Sequence, residues 1–127
     1  MADDYDCPVC AGLRGGDGPA ELIHASDVVG ENELVVAAVC THFLPGSPGH
    51  VIVVPVRHYE NLYAMPPREL HACIDMAQAV AVAMKARYGA AGVTLRQNNE
   101  PAGSQTVFHF HLHVIPRYAG DGYDEGQ

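Results

Sequence analysis

Residues 107–115 read Val-Phe-His-Phe-His-Leu-His-Val-Ile. A strand sends alternate side chains to opposite faces. As a strand, this stretch puts Phe108, Phe110, Leu112 and Val114 on one face. His109, His111 and His113 then share the other, with Cα atoms roughly 6.6 Å apart in succession. Three of the eight histidines are thereby gathered on one side. One reading is an ordinary solvent face, although Thr, Lys or Glu fill such faces more readily. A second is a metal site, since His-x-His on a strand can turn two imidazoles onto one ion. A third is catalysis, one imidazole attacking phosphorus while its neighbours set tautomer and orientation; near pH 7 it needs no separate base. Spacing alone does not choose between the last two.

The second chemical signal is Cys7-Pro-Val-Cys10. The C-x₂-C spacing lets two thiolates grip one ion from a tight turn. Its rivals are a redox pair, which normally opens a helix after a strand, and two unligated thiols. No strand pattern precedes Cys7, and Gly12 to Pro19 follow closely, so metal is the favoured reading. Two more ligands must come from elsewhere, and the histidines are the supply. Cys40, just after a strand, and Cys73, on a helical stripe, read as small buried hydrophobes.

These groups need a scaffold. Residues 12–20 read as a loop, because Gly and Pro interrupt any period. Glu33–Val39 and Val51–Val56 are short runs rich in Val and Ile, as strands are. The turn-forming segment Leu44–Gly49 between them makes an antiparallel pair the expectation. Pro66-Pro67 opens a helix whose apolar stripe is Leu70, Cys73, Ile74, Ala77, Val80, Ala81, Met84 and Tyr88. Lys85 and Arg87 complement its C-terminal dipole, and Gly89 stops it. Further strands are expected at Val93–Asn98 and Val107–Pro116, separated by the loop Glu100–Ser104. Strands on both sides of one long helix predict an α+β domain with a largely antiparallel sheet.

The whole chain, 127 residues long, is expected to be one domain, with a core from Cys7 to Arg117 and a flexible tail over 118–127. Seven Lys and Arg against fifteen Asp and Glu give a net charge of −8, which repels a polyphosphate backbone and argues against long nucleic acid as a partner. A small nucleotide stays compatible, because a local site can override the net field. No apolar run approaches the roughly 18 residues a membrane span needs. The start, MADDYDCPVC, has neither a basic nor an apolar stretch of the kind a signal peptide carries, so a reducing cytoplasm is expected.

Two longer segments carry a resemblance. Ser47-Pro-Gly-His50-Val-Ile-Val-Val-Pro-Val-Arg-His58-Tyr-Glu-Asn61 and Asn98-Asn-Glu-Pro-Ala-Gly-Ser-Gln105-Thr106-Val-Phe-His109-Phe-His111-Leu-His113-Val-Ile-Pro-Arg117 resemble the histidine triad (HIT) family, specifically its bacterial Hint-like group. The resemblance spans Cys7 to Arg117. It implies a HIT-like fold of about five antiparallel strands with one long and one short helix, commonly paired as a homodimer. It also implies a nucleotidyl hydrolase or transferase, with His111 as the nucleophile that forms a nucleotidyl-histidine and His113 orienting it. Gln105 and Thr106 match positions that contact phosphate or assist the leaving group, and Asn98 a phosphate- or nucleophile-supporting Asn. His50 matches another active-site histidine, with a structural hydrogen-bonding role as its alternative.

Zinc-bearing relatives in the family carry the CxxC, the His after Pro-x-x and the first triad His. Carried over, the ligands are Cys7, Cys10, His58 and His109, a closed Cys₂His₂ site that is structural rather than catalytic. His42 stands where many members have a ribose-binding Asp, and imidazole cannot supply two carboxylate acceptors. The expected activity is cleavage of nucleoside 5′-phosphoramidates or related monophosphate derivatives, with a purine nucleotide as ligand. The alternatives are a dinucleoside polyphosphate hydrolase and a nucleotide-binding interaction module with little turnover.

Overall fold

The computed structural model describes residues 5–14, 27–39 and 49–121. Its elements are α1 (Pro8–Leu13), β1 (Val28–Glu31), β2 (Val35–Val39), β3 (Val51–Pro55), α2 (Pro67–Tyr88), β4 (Gly92–Arg96) and β5 (Leu112–Arg117). The strands form one sheet in the order β1-β2-β3-β5-β4, every neighbouring pair antiparallel. This is the α+β architecture expected, with five strands, one long helix and one short one.

Alternation along β2, β3 and β5 divides the core between the two faces of the sheet. Val35, Ala37, Val51, Val53, Leu112 and Val114 meet Cys73, Ala77, Val80 and Met84 of α2, joined by Phe110. On the opposite face Val36, Ala38, Ile52 and Val54 pack with Cys7 and Val9 of the N-terminal segment. The signals that built α2 act as the sequence implied: Pro67 takes the first helical position and Gly89 ends the helix with φ of 61°. Lys85 does more than complement the dipole, because its Nζ donates to the Ala90 carbonyl at 2.8 Å. Ile74 and Tyr88, expected on the buried stripe, are exposed instead. The face that α2 buries is narrower than the eight-residue pattern, and Cys73, Ala77, Val80 and Met84 are its centre.

Several boundaries differ from the sequence reading. Glu33 and Leu34 are in a turn, because Asn32 Oδ1 accepts the N–H of Leu34 and of Val35 and so starts β2 later. β1 was not expected at all; its four residues, Val-Val-Gly-Glu, are too few to show a period. Gly12 and Leu13, read as the start of a loop, close α1. Tyr118 to Asp121, read as the start of a flexible tail, fold back, with Arg117 making two 2.9 Å bonds to the Asp121 carboxylate. Cys40, His42 and the Leu44–Pro48 part of the expected turn lie outside the described residues, as does 122–127.

The largest difference is at the histidine row. Only Leu112–Arg117 is strand, and residues 107–111 leave the ladder. Their backbone is bonded elsewhere: Phe108 N–H donates to the Tyr5 hydroxyl at 3.0 Å and Phe110 N–H to the Tyr59 carbonyl at 2.7 Å. Phe108 accordingly leaves the core face assigned to it and packs edge-on against Tyr5, ring centroids 5.8 Å apart.

Candidate active site and metal centre

Cys7 is the N-cap of α1, and its Sγ accepts the backbone N–H of Cys10 at 3.3 Å. Capping places the two sulfurs on one side of the helix start. The CxxC therefore does open a helix, although no strand precedes it among the described residues.

His58 follows β3, and His109 lies in the irregular stretch before β5. The two Nδ1 atoms are 3.1 Å apart; Cys7 Sγ is 3.4 Å from His109 Nδ1, and Cys10 Sγ is 3.4 Å from His58 Nδ1 and 3.5 Å from His109 Nδ1. All four donor atoms lie within 4.8 Å of one another. A tetrahedron with zinc's bond lengths to sulfur and imidazole nitrogen has edges of roughly 3.4 to 3.8 Å.

The second ring nitrogen of His109 supports the same reading. Nε2 is 2.9 Å from the Pro55 carbonyl, which accepts only from a protonated nitrogen. The neutral ring then carries its lone pair on Nδ1, pointing at the sulfurs, as a metal ligand oriented by a carbonyl does. Burial pushes the Cys10 thiol up to about 11 and pulls His109 down to about 4, so with no cation the site favours neutral groups. A dication reverses that preference for the thiols by binding them as thiolates. The donor set, its spacing and the His109 tautomer fit zinc, and Cys7, Cys10, His58 and His109 are the four residues that could hold it.

His50, His111 and His113 form a second group on the same side. His111 is buried at 4% exposure, and its Nδ1 donates to the backbone carbonyl of His109 at 2.8 Å. That bond fixes the tautomer with the lone pair on Nε2. The His113 ring lies 4.8 Å from it, nearly perpendicular. His113 Nδ1 is in turn 2.9 Å from His50 Nε2, so one ring donates to the other. Burial, with the neighbouring imidazoles adding to it, pulls His50 down to about 4 and His113 to about 3; burial also lowers His111. The group is therefore neutral at pH 7. Buried neutral imidazoles with set tautomers can attack and orient.

The loop before the row is tightly held. The Gln105 amide donates to the carbonyls of Glu60 at 2.7 Å and Val107 at 3.0 Å and accepts the Glu100 N–H at 2.7 Å. Gln105 thus spans the loop as a strut, with its amide committed to backbone. Asn98 Nδ2 donates to the Ser104 carbonyl at 3.5 Å, and Thr106 is exposed. Sequence reasoning missed the partners of these residues. Gln97 and Asn99 exchange two amide bonds of 2.9 and 2.7 Å, and Asn99 also accepts the Leu62 N–H at 2.8 Å. The run Gln-Asn-Asn, poor for a strand and good for side chain-to-backbone bonding, was the available signal. It also explains why β4 stops at Arg96, short of the expected Asn98. An open groove of about 770 Å³ passes the metal cluster, lined by Cys10, His58, Tyr5, Arg14, Tyr63 and Glu100 among others, and does not include the triad rings.

Comparison with known proteins fits this geometry. The HIT domain family model matches residues 23–120. An uncharacterised HIT-like protein of Methanocaldococcus jannaschii is 36% identical over 116 residues, 91% of this chain and 82% of the relative. An adenylylsulfatase of Arabidopsis thaliana is 29% identical over 116 residues, 91% of this chain and 54% of that protein. Among solved structures, a zinc-bound histidine triad family protein from Mycobacterium smegmatis superposes with a TM-score of 0.77 at 31% identity, covering 92% of this chain and 78% of that one.

Proposed function

The chain belongs to the HIT domain family, and from that premise we propose that it is a zinc-containing nucleotidyl hydrolase or transferase acting on purine nucleoside 5′-phosphoramidates or related monophosphate derivatives. The observation that carries the reading is the bond from His111 Nδ1 to the His109 carbonyl, which leaves the nucleophilic lone pair on Nε2. In the proposed reaction Nε2 attacks the α-phosphorus. A P–N bond to His111 forms as the bond to the leaving amine or oxygen breaks, and the leaving group departs with a proton taken from solvent, which the water that later resolves the intermediate returns. Water or another acceptor then takes the nucleotidyl group and restores the imidazole. His113, edge-on to His111 and paired with His50, orients the ring and stabilises the charge it acquires. Thr106, Asn98 and the loop that Gln105 braces are assigned to the phosphate and leaving group, and His42 to the nucleoside.

Zinc, when bound by Cys7, Cys10, His58 and His109, has all four positions taken by protein and supplies structure rather than Lewis-acid chemistry. The zinc-bound relative and the fit of the four donors support this assignment. A reducing, cytoplasmic setting suits it, since the thiols stay available as ligands. We also take the functional unit to be a homodimer of single-domain chains paired through α2 and β4. β4 is a sheet edge, and Ile74 and Leu95, each 47% exposed, present apolar surface there.

The test is hydrolysis of adenosine 5′-phosphoramidate by the purified protein and by His111→Asn. Turnover by the parent and none by the variant, with metal content equal, is the expected result. Equal turnover would remove His111 as nucleophile. Nucleotide binding with no turnover in the parent would favour the binding-module reading.

A further inference from the structure

The peptide group between His109 and Phe110 is held at both ends. Its carbonyl accepts from His111 Nδ1 at 2.8 Å, and its N–H donates to the Tyr59 carbonyl at 2.7 Å. Tyr59 is thus bonded to a peptide whose carbonyl orients the proposed nucleophile. Its side chain runs away from the site: the ring packs against the α2 core cluster, and the hydroxyl donates to Glu69 Oε1 at 2.8 Å. Glu69 is in the first turn of α2 and only 7% exposed.

We propose that Tyr59 and Glu69 are positioning residues for His111, setting the ring through the His109–Phe110 peptide. The inference rests on reading His111 as the nucleophile. Two physical arguments support it. Hydrogen bonds in line through a peptide polarise one another, so the Tyr59 carbonyl drawing on Phe110 N–H makes the His109 carbonyl a better acceptor for His111. Glu69 also keeps a carboxylate buried with Oε1 bonded to Tyr59 and Oε2 without a hydrogen-bond partner among the described residues, a cost that an apolar side chain there would not carry. The chain of contacts joins the rigid start of the long helix to the site through a single carbonyl.

The experiment compares Tyr59→Phe, Glu69→Gln, Glu69→Ala and the Tyr59→Phe/Glu69→Ala double variant, all zinc-loaded, with adenosine 5′-phosphoramidate as probe. Tyr59→Phe keeps the ring and loses only the hydroxyl. It is expected to lower kcat roughly tenfold with KM within about twofold and zinc content unchanged. Glu69→Gln retains an acceptor and should stay within about twofold of the parent, while Glu69→Ala falls as far as Tyr59→Phe and the double variant no further. An unchanged kcat in Tyr59→Phe, a loss carried by KM or by zinc, or Glu69→Gln as poor as Glu69→Ala overturns the proposal. If the parent turns over no phosphoramidate, the functional reading fails separately. The proposal is then read from the His111 Nδ1–H resonance by NMR. Tyr59→Phe should speed its exchange with water roughly fivefold, and an equal rate overturns the proposal.

Discussion

At the scale of the residue, protonation decides what each histidine can do. His50 and His113 are pulled from the usual 6.5 to about 4 and about 3, burial being the first cause in both. The unfolded chain takes up these two protons as pH falls through about 6.5, whereas the folded protein does not until near the lowered values. The stability this contributes is therefore fully present above pH 6.5 and is lost as pH falls toward 4 and 3. Melting temperature should be flat between pH 7 and 8 and drop steadily on acidification below 6.5. His50→Asn should make that slope shallower. A parent whose melting temperature does not change from pH 7 to pH 5 would contradict the burial of these rings as neutral groups. His109 shows why neighbouring residue types can have different roles. It has the same side chain as His111, but Pro55 bonds its Nε2 and the sulfurs face its Nδ1.

At the scale of the element, α1 and the 97–106 loop do the positioning. α1 is six residues long, too short to hold together on its own, and it is fixed by Val9 in the second core and by the cysteines at its start. Cys7→Ala removes both the cap and a ligand. It should lose stoichiometric zinc and lower the melting temperature by several degrees, since metal binding contributes directly to folding. Equal zinc in variant and parent, measured by atomic absorption, would dismiss the cluster as a metal site.

The loop stores strain. Glu100 has φ 65° and ψ 159°, a conformation that is essentially glycine's. The Gln105 side chain holds it there by accepting its N–H. Glu100→Gly should raise stability by about 1 kcal/mol, the strain relieved exceeding the added freedom of the unfolded chain. Urea denaturation checks this, and a loss of stability would mean that the hydrogen bond between the Tyr63 hydroxyl and the Glu100 carboxylate matters more than the strain.

At the scale of the whole molecule, β4 is an edge of the sheet among the described residues, and α2 leaves apolar surface beside it. Ile74, Ala77, Ala81, Val93 and Leu95 line a surface cavity of about 470 Å³ there. An exposed edge strand with apolar neighbours is the kind of surface that a second copy covers. Ile74→Glu is expected to convert the proposed homodimer to monomer in sedimentation velocity, with the fold kept because Ile74 is outside the core of one chain. A parent that sediments as a monomer would remove the dimer reading. No helix among the described residues is long and apolar enough to cross a membrane.

Much of this was legible in the chain itself, for physical reasons that can be named. Periodicity is local, so the α2 stripe, its Pro and Gly ends and the β2–β3 pair could be read from Val, Ile, Pro and Gly alone. Ligand chemistry is also local: Cys7, Cys10 and the histidine row declared metal and nucleophile as candidates, and the family resemblance divided the row between them. Tertiary structure decided what depends on partners distant in sequence. Residues 107–111 leave the strand because Tyr5 and Tyr59 capture their N–H groups, and those bonds join positions 103 and 51 residues apart. The tautomer of His109 rests on the carbonyl of Pro55, 54 residues away. Gln105 became a strut because its amide meets backbone 45 residues away. A side chain's type limits the bonds it can make; which of them it makes is set by the groups the fold brings within 3 Å or so of it.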